Sequence, residues 1–524
     1  MKKIFAIILT LCMMTSLLCF TVFAEEGTGD VVISISGLKA DGTTIGLNSW
    51  TNFADGWEAA VDFAEDEDFM EDNDLIRIVV DFYADWNANA KGEFGKSSWD
   101  GFQYSTIYVP SDTRMTINLN GHTINRGLTK CKYNGEVICI NDDADLIING
   151  GKSGDPITRA DKENADAPFG TITGGFSCNG AGGIHMQDGS KLTLNNVKVV
   201  GNKAEDDDGG GIAVYDGAIL TVNGGSISDN LLISDVATYI YGAGIYVEDS
   251  TAYLNHVMLQ NNNSNGKPEY NAEGRYHCYG AAIYVDDSSV TVDSCLFDSN
   301  GQHIGYFLDS DCVIYVYDDS KMTVRQTTFR RNGSAQRVVK GHTSLEYGTD
   351  LFNVDDDSSL ILESCYFTEN SAEIILNVGY DSALSVDETI FKNNYAAVYN
   401  YYGSASDTGR CTFTKCTVER TSPKENYPYA FNLKTAGNHP TFIECNLGNA
   451  TFSDRRKAKI EDSKIPSTSS LLTISIFGEG SLSMIVATFA LVASAASIGV
   501  IVASNKKKAV SDAANNEGNE KEES

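Results

Sequence analysis

The chain has 524 residues with 71 Asp and Glu, 39 Lys and Arg, 48 Gly and 8 Pro, and a formal net charge of −32. That length exceeds one ordinary compact core, so the chain is either several domains or one elongated repeat. A hydrophobic fraction of 42% excludes wholesale disorder. The acidity argues against nucleic acid and anionic lipid surfaces as partners, since both would be repelled.

Lys2 and Lys3 precede an apolar run, Ile4 to Phe23, that ends in Ala24. This is the pattern of a secretory signal peptide over residues 1–24. Its removal with Lys2 and Lys3 takes the formal charge from −32 to −34.

Residues 25–112 hold all four tryptophans (Trp50, Trp57, Trp86, Trp99) and read as a separate α/β unit. Asp55-Gly56-Trp57-Glu58 has the form of a capping box for a helix over 57–69, and Trp57, Ala60, Val61 and Ala64 give it an apolar stripe. Residues 76–82 read as a strand, and 107–110 lead into another at 115–119. A solenoid end is an open edge, so this unit is expected to cap it, with a separate ligand-binding module as the alternative. Lys152-Ser153 after Gly150-Gly151 is a fragment of a phosphate loop, but Leu146 stands where the first glycine belongs and no helix follows.

From about residue 113 to 452 the chain repeats. The windows 223–230, 255–262, 293–300, 325–332, 363–370 and 387–394 each end in Asn, at steps of 24 to 38 residues. Short alternating strands recur within each step: Ile245-Tyr246-Val247, Ile283-Tyr284-Val285 and Ile314-Tyr315-Val316. Each leads through an Asp-Ser turn (Asp249-Ser250, Asp287-Ser288, Asp319-Ser320) into another strand. Three short strands per step without helices predict an all-β chain, a parallel β-helix whose coils stack about 4.8 Å apart. Asn202, Asn230, Asn262, Asn300, Asn332, Asn370 and Asn394 then fall in one turn column. Asn tolerates a left-handed turn and can bond the amides above and below it.

The tetrapeptides Gly209-Gly210-Gly211-Ile212, Gly242-Ala243-Gly244-Ile245 and Gly280-Ala281-Ala282-Ile283 resemble the GGA[IL] repeats of the polymorphic outer-membrane protein adhesins. Phe297 to Asn300, Phe329 to Asn332, Phe367 to Asn370 and Phe391 to Asn394 resemble their FxxN repeats. More broadly, residues 115–450 resemble the right-handed, pectate-lyase-like β-helix superfamily. The resemblance implies a right-handed solenoid and a surface protein. Those adhesins end in a membrane β-barrel, whereas this chain ends in a single apolar span, so their route to the surface does not carry over.

Residues 453–480 read as a stalk, and Leu482 to Ala503 carries no charge. Twenty-two residues at about 1.5 Å each cover roughly 33 Å, enough for a transmembrane helix over 481–503. Lys506, Lys507 and Lys508 follow, which places the tail 504–524 in the cytoplasm and the N-terminus outside. Ala495, Gly499 and Ala503 have the small-residue spacing of packed membrane helices.

Outside the signal, Cys295, Cys365, Cys416 and Cys445 share one repeat position with Val257, Thr327 and Thr389 and read mainly as small core residues. Cys416 with Cys445, and Cys131 with Cys139, are candidate disulfides. No cysteine and histidine spacing fits zinc. Asp286, Asp287, Asp318, Asp319 and Asp357 stack in turns, and calcium is the one cofactor they suggest, beside plain solvated turns.

The site expectation is an outward stripe. Tyr246, Tyr284 and Tyr315 stack along one face, with Glu248, Asp286, Tyr317 and Asp355 as the adjacent column, between insertions at 263–279 and 333–350. Such a strip suits a neutral polysaccharide or surface glycan; the alternative is that tyrosine merely favours strands and pairs across coils. The function expected is a membrane-anchored bacterial surface protein for recognition or adhesion. A polysaccharide lyase or glycoside hydrolase is the enzymatic alternative, with Arg331, Arg337, Lys340 and His342 as a basic patch open to it, and a structural envelope protein is the third.

Overall fold

The computed structural model describes residues 30–87, 106–152, 155–160, 168–234, 239–266, 277–301, 312–333, 349–379, 381–402, 411–419, 429–433, 440–448 and 450–464. The signal, the apolar span 482–503 and the tail lie outside them.

Three parallel sheets run the length of the repeat. The first has fifteen described strands, the second eleven and the third eleven. Each coil contributes one strand to each in turn, for example Ile283–Asp286 to the third, Ser289–Asp293 to the first and Leu296–Asp298 to the second. Registers are unbroken from coil to coil: Ile245 pairs Ile283, Val290 pairs Met322 and Phe297 pairs Phe329. Side chains of like character therefore meet across coils on the inward faces. Phe297, Phe329, Phe367 and Phe391 form one ring stack at 4.7, 4.7 and 4.9 Å. All four are 0% exposed, and one continuous core runs from Ile33 to Leu447.

The corners follow one rule. A left-handed non-glycine residue precedes a buried residue that hydrogen-bonds to the next coil. At the corner after the second sheet the left-handed residues are Asp229, Asn261, Ser299, Arg331, Glu369 and Asn393, each just before a ladder asparagine. The asparagines themselves are not left-handed, contrary to expectation. Their amides are committed to a ladder instead: Asn300 N–H and Nδ2 donate to Asn332 Oδ1 at 3.0 and 3.1 Å, and Nδ2 also donates to Leu259 O at 2.9 Å. At the Asp-Ser corner Ser250 N–H donates to Ser288 Oγ, Ser288 N–H to Ser320 Oγ and Ser320 N–H to Ser358 Oγ.

The cysteine column is the third such ladder. Val257 N–H bonds Cys295 Sγ, Cys295 N–H bonds Thr327 Oγ1, and Cys416 N–H bonds Cys445 Sγ at 3.4 Å. Cysteine alternates with threonine here because both accept a backbone N–H from the coil before. Cys416 and Cys445 are neighbours but free thiols, each also donating to backbone carbonyls of its own and the preceding coil. The expected Cys131–Cys139 bridge is likewise replaced: Cys131 bonds Cys178 on the next coil, and Cys139 is a buried thiol.

At the N-terminal end, Ile33–Lys39 pairs antiparallel with Thr44–Trp50 and with Leu75–Phe82, and the latter runs parallel to Arg114–Asn118. Helix α1 spans Phe53–Glu65 and α2 spans Glu67–Asp72. The cap of α1 is Asn52, whose side chain accepts from Ala54 N–H, so the helix starts earlier than the Asp55 box predicts. Phe53, Trp57 and Ala60 enter the common core. Coil strands already begin at Trp86–Asn87 and Ile107–Val109. At the other end Lys459–Glu461 still pairs with Thr441–Ile443, so sheet pairing continues past the expected end at 452.

Candidate functional site

The outward column of the third sheet runs Tyr108, Cys139, His185, Ala213, Tyr246, Tyr284, Tyr315, Asn353, Asn377, Asn400 and Asn432. It therefore has three stretches: a mixed polar stretch, a tyrosine stretch and an asparagine ladder.

The tyrosines stack as expected. Tyr246 and Tyr284 rings lie 5.4 Å apart and nearly parallel, and Tyr284 meets Tyr315 at 5.6 Å. They do not form an open strip. Strands Tyr239–Tyr241 and His277–Tyr279 pair with each other and lay Tyr241 over Tyr284 at 4.5 Å and Tyr279 over Tyr315 at 5.1 Å. Tyr246 and Tyr284 are 5% and 3% exposed, inside a small aromatic core separate from the main one. The reason is that a flat apolar column on a sheet face is itself a surface to be buried, and the short strands Tyr239–Tyr241 and His277–Tyr279 supply the cover. Tyr315, Tyr317, Glu248, Asp286 and Asp355 remain half-buried at its edge. Tyr284 Oη donates to Asp286 Oδ2 at 3.1 Å, and burial pushes the Asp286 carboxyl up to about 6. Of the basic patch, Arg331 is bound to Asp298, while Arg337, Lys340 and His342 lie outside the described residues.

Asp208 marks the boundary of this layer. Its Oδ1 accepts Tyr241 N–H at 2.7 Å, and burial pushes its carboxyl up to about 8. A carboxyl raised in the folded state keeps its proton where the unfolded chain has lost it, so its effect on stability grows unfavourable as pH rises from about 4 to about 8. Asp208→Asn is expected to add about 1–2 kcal/mol at pH 8 and nothing at pH 4. Thermal melts of both proteins at the two pH values check this; an equal gain at both excludes the titration.

The open part of the face is the mixed stretch, which sequence reasoning missed. A cleft of about 800 Å³ is lined there by Tyr108, Glu136, Cys139, Asn141, His185, Gln187, Asp207 and Tyr215 among others, with Glu65 from the end of α1. Local folding explains each position. Cys139 and His185 are register partners on adjacent strands. Asn141 and Gln187 stand two residues further along the same strands, so they point to the same side. Glu136 sits at the corner before Ile138–Ile140, and the Cys131–Cys178 bond ties that corner to the next coil. Asp207 lies in the turn before Gly209, and its oxygens accept Gly180 N–H at 2.7 Å and Asp208 N–H at 2.8 Å.

Among the described residues three buried polar atoms in this lining make no close hydrogen bond: Glu136 Oε2, which Ser177 approaches, Asn141 Nδ2, which Tyr108 approaches, and His185 Nδ1. Glu136 and Asn141 are each 4% exposed. Burial pushes the Glu136 carboxyl up to about 7, against the pull of Arg126. Arg126 Nη1 donates to the backbone carbonyls of Asn134 and Glu136, and Arg126 is not part of the lining. Burial lowers His185, which favours neutral imidazole, and its ring packs on Tyr215 at 5.2 Å. Tyr215 in turn packs on Tyr246 at 5.3 Å, so the closed aromatic layer supports the cleft from one side. The signal available in the sequence was the break in the tyrosine column at Ala213, His185 and Cys139. Among the described residues no His, Cys, Asp and Glu group converges to hold a metal ion.

A rod of parallel coils with a polar cleft on one sheet face defines a class of right-handed solenoid. The family model described as "Right handed beta helix region" matches residues 89–329 and 275–447, and the chain belongs to that family. No curated protein and no solved structure gives a match to the chain. Among the described residues no helix is long and apolar enough to cross a membrane.

Proposed function

We propose that the protein is an extracytoplasmic β-helix protein, held to its own cell membrane by residues 481–503, that binds a polysaccharide or surface glycan in the cleft. In this reading residues 1–24 are the signal peptide, 25–112 cap the first coils, the chain beyond Lys464 is the stalk, and 504–524 are cytoplasmic. The observation that carries it is the set of three buried polar atoms without a close hydrogen bond in a cleft flanked by Tyr108 and Tyr215. A buried polar atom without a partner is costly, and a hydroxyl-rich ligand offers both donors and acceptors. The tyrosines give flat apolar faces for the C–H side of a sugar ring. Glu248, Asp286, Tyr317 and Asp355 extend a half-exposed polar edge away from the cleft, while Tyr246, Tyr284 and Tyr315 serve as its footing.

Tyr108 is 41% exposed at the cleft and can be changed without opening the core. Tyr108→Ala is expected to weaken glycan binding about 3- to 10-fold with an unchanged melting temperature. A glycan array followed by titration of the best binder measures it. Equal affinity of the two proteins would sink the assignment of the cleft.

One observation favours an enzymatic second reading: a buried carboxyl poised near neutral pH, Glu136, faces a cleft that also holds Asp207. A carboxylic acid with a raised value is a competent proton donor to a glycosidic oxygen. A lyase is the poorer fit, because none of the described lining residues is a Lys or Arg that would neutralise a uronate. Reducing-sugar release over a polysaccharide panel distinguishes hydrolysis from binding.

A further inference from the structure

We propose that the cleft selects an amine-bearing glycan, a polymer of de-N-acetylated hexosamine, by receiving its ammonium group at Glu136. This rests on the glycan reading above and narrows it to a chemical class.

The charge of the lining is one-sided. Glu65, Glu136 and Asp207 contribute carboxyl groups, and the described lining holds no Lys or Arg. A uronate or sulfated sugar would enter an unneutralised negative field, and a neutral sugar would offer hydroxyl donors but no compensating positive charge. Asp207 is already oriented by two backbone N–H groups, so it contributes field more than a free hydrogen-bonding site. Glu136 differs: it is 4% exposed and its Oε2 makes no close hydrogen bond.

The groups that face Glu136 are Arg126, Cys139 and Ser177. Arg126 offsets part of the Glu136 charge from behind, where its Nη1 is held by two backbone carbonyls. Cys139 is a thiol raised by burial and brings no positive charge. An ammonium donates three hydrogen bonds, so it can pair with Glu136 Oε2 and keep donors for water or a ligand hydroxyl. Asn141 stands beside Tyr108, so a hydroxyl or ring oxygen of the same sugar would meet their polar ends. Tyr215, packed on His185, offers a ring face that attracts a cation.

The test is calorimetric titration of the full chain with three oligosaccharides of equal length: a de-N-acetylated chito-oligosaccharide, its N-acetylated counterpart and an oligogalacturonate. The amine probe is expected to bind at least about tenfold more tightly than the acetamide probe, with the uronate weakest. Glu136→Gln is expected to bring the amine-to-acetamide ratio close to one. Independently of any variant, the ratio should fall as salt rises from about 0.02 to about 0.3 M, since it is an ion-pair preference. Acetamide or uronate binding as tight as amine binding overturns the amine specificity and leaves the glycan reading standing. So does a ratio untouched by both salt and Glu136→Gln. No binding of any probe, together with an empty glycan array, removes both.

Discussion

Asn300→Ala is expected to destabilise the protein by about 3–5 kcal/mol, more than most single substitutions do. The side chain is 0% exposed and stands in the middle of the ladder. Its Oδ1 accepts both the N–H and the Nδ2 of Asn262 at 3.1 Å, and its Nδ2 donates to Leu259 O and Asn332 Oδ1. Alanine leaves Asn262 N–H without that acceptor, and Leu259 O and Asn332 Oδ1 each lose a donor. Each buried group deprived of its partner costs about 1–3 kcal/mol. Asn255 is the internal control: its Nδ2 bonds Asn223 Oδ1 at 3.0 Å in a ladder on the outer face of the first sheet, where it is half-buried. Asn255→Ala should cost less than about 1 kcal/mol, because water replaces the lost partner. Urea denaturation of both variants measures the contrast. Similar losses in the two would show that the ladder is not a burial effect.

Phe329→Ala is expected to cost about 3–5 kcal/mol, and the loss should be local along the stack. The ring is sandwiched between Phe297 and Phe367 at 4.7 Å on each side and meets Phe352 edge-on at 5.2 Å. Coils touch only their neighbours, so the cavity loosens the coils that hold Phe297 and Phe367 before it reaches the ends. Hydrogen exchange should quicken in Leu296–Asp298 and Tyr366–Thr368 and stay unchanged in Lys191–Asn195. Uniform acceleration over all coils would mean that the solenoid opens as one cooperative unit.

These two predictions concern parts of the molecule that are legible without coordinates. The phenylalanines and asparagines recur at one window position, and a repeat in sequence must become a column in space once coils stack in register. The cleft was not legible in this way. Glu136, Asn141, His185 and Asp207 come from successive coils but occupy no common repeat position, and of the four only His185 lies within a strand. The tyrosine stripe was half legible. Its alternation with Ile and Val set which way the rings point, yet not whether anything lies over them. Tyr241 and Tyr279 arrive from strands of three residues, too short to carry a pattern of their own. The cysteine column was legible as small core residues, and the four are buried in the common core; its ladder bonds to Thr327 and Thr389 were not, because they depend on where each Sγ or Oγ meets a backbone N–H.

Periodicity alone determined the solenoid, its inward faces and the approximate path of each coil, because burial every second residue and repetition every coil leave one compact arrangement. Tertiary structure decided which outward surface stays open to a ligand. Exposure on a sheet face depends on what the intervening insertions lay across it, and that contact joins residues far apart in the chain whose spacing obeys no period.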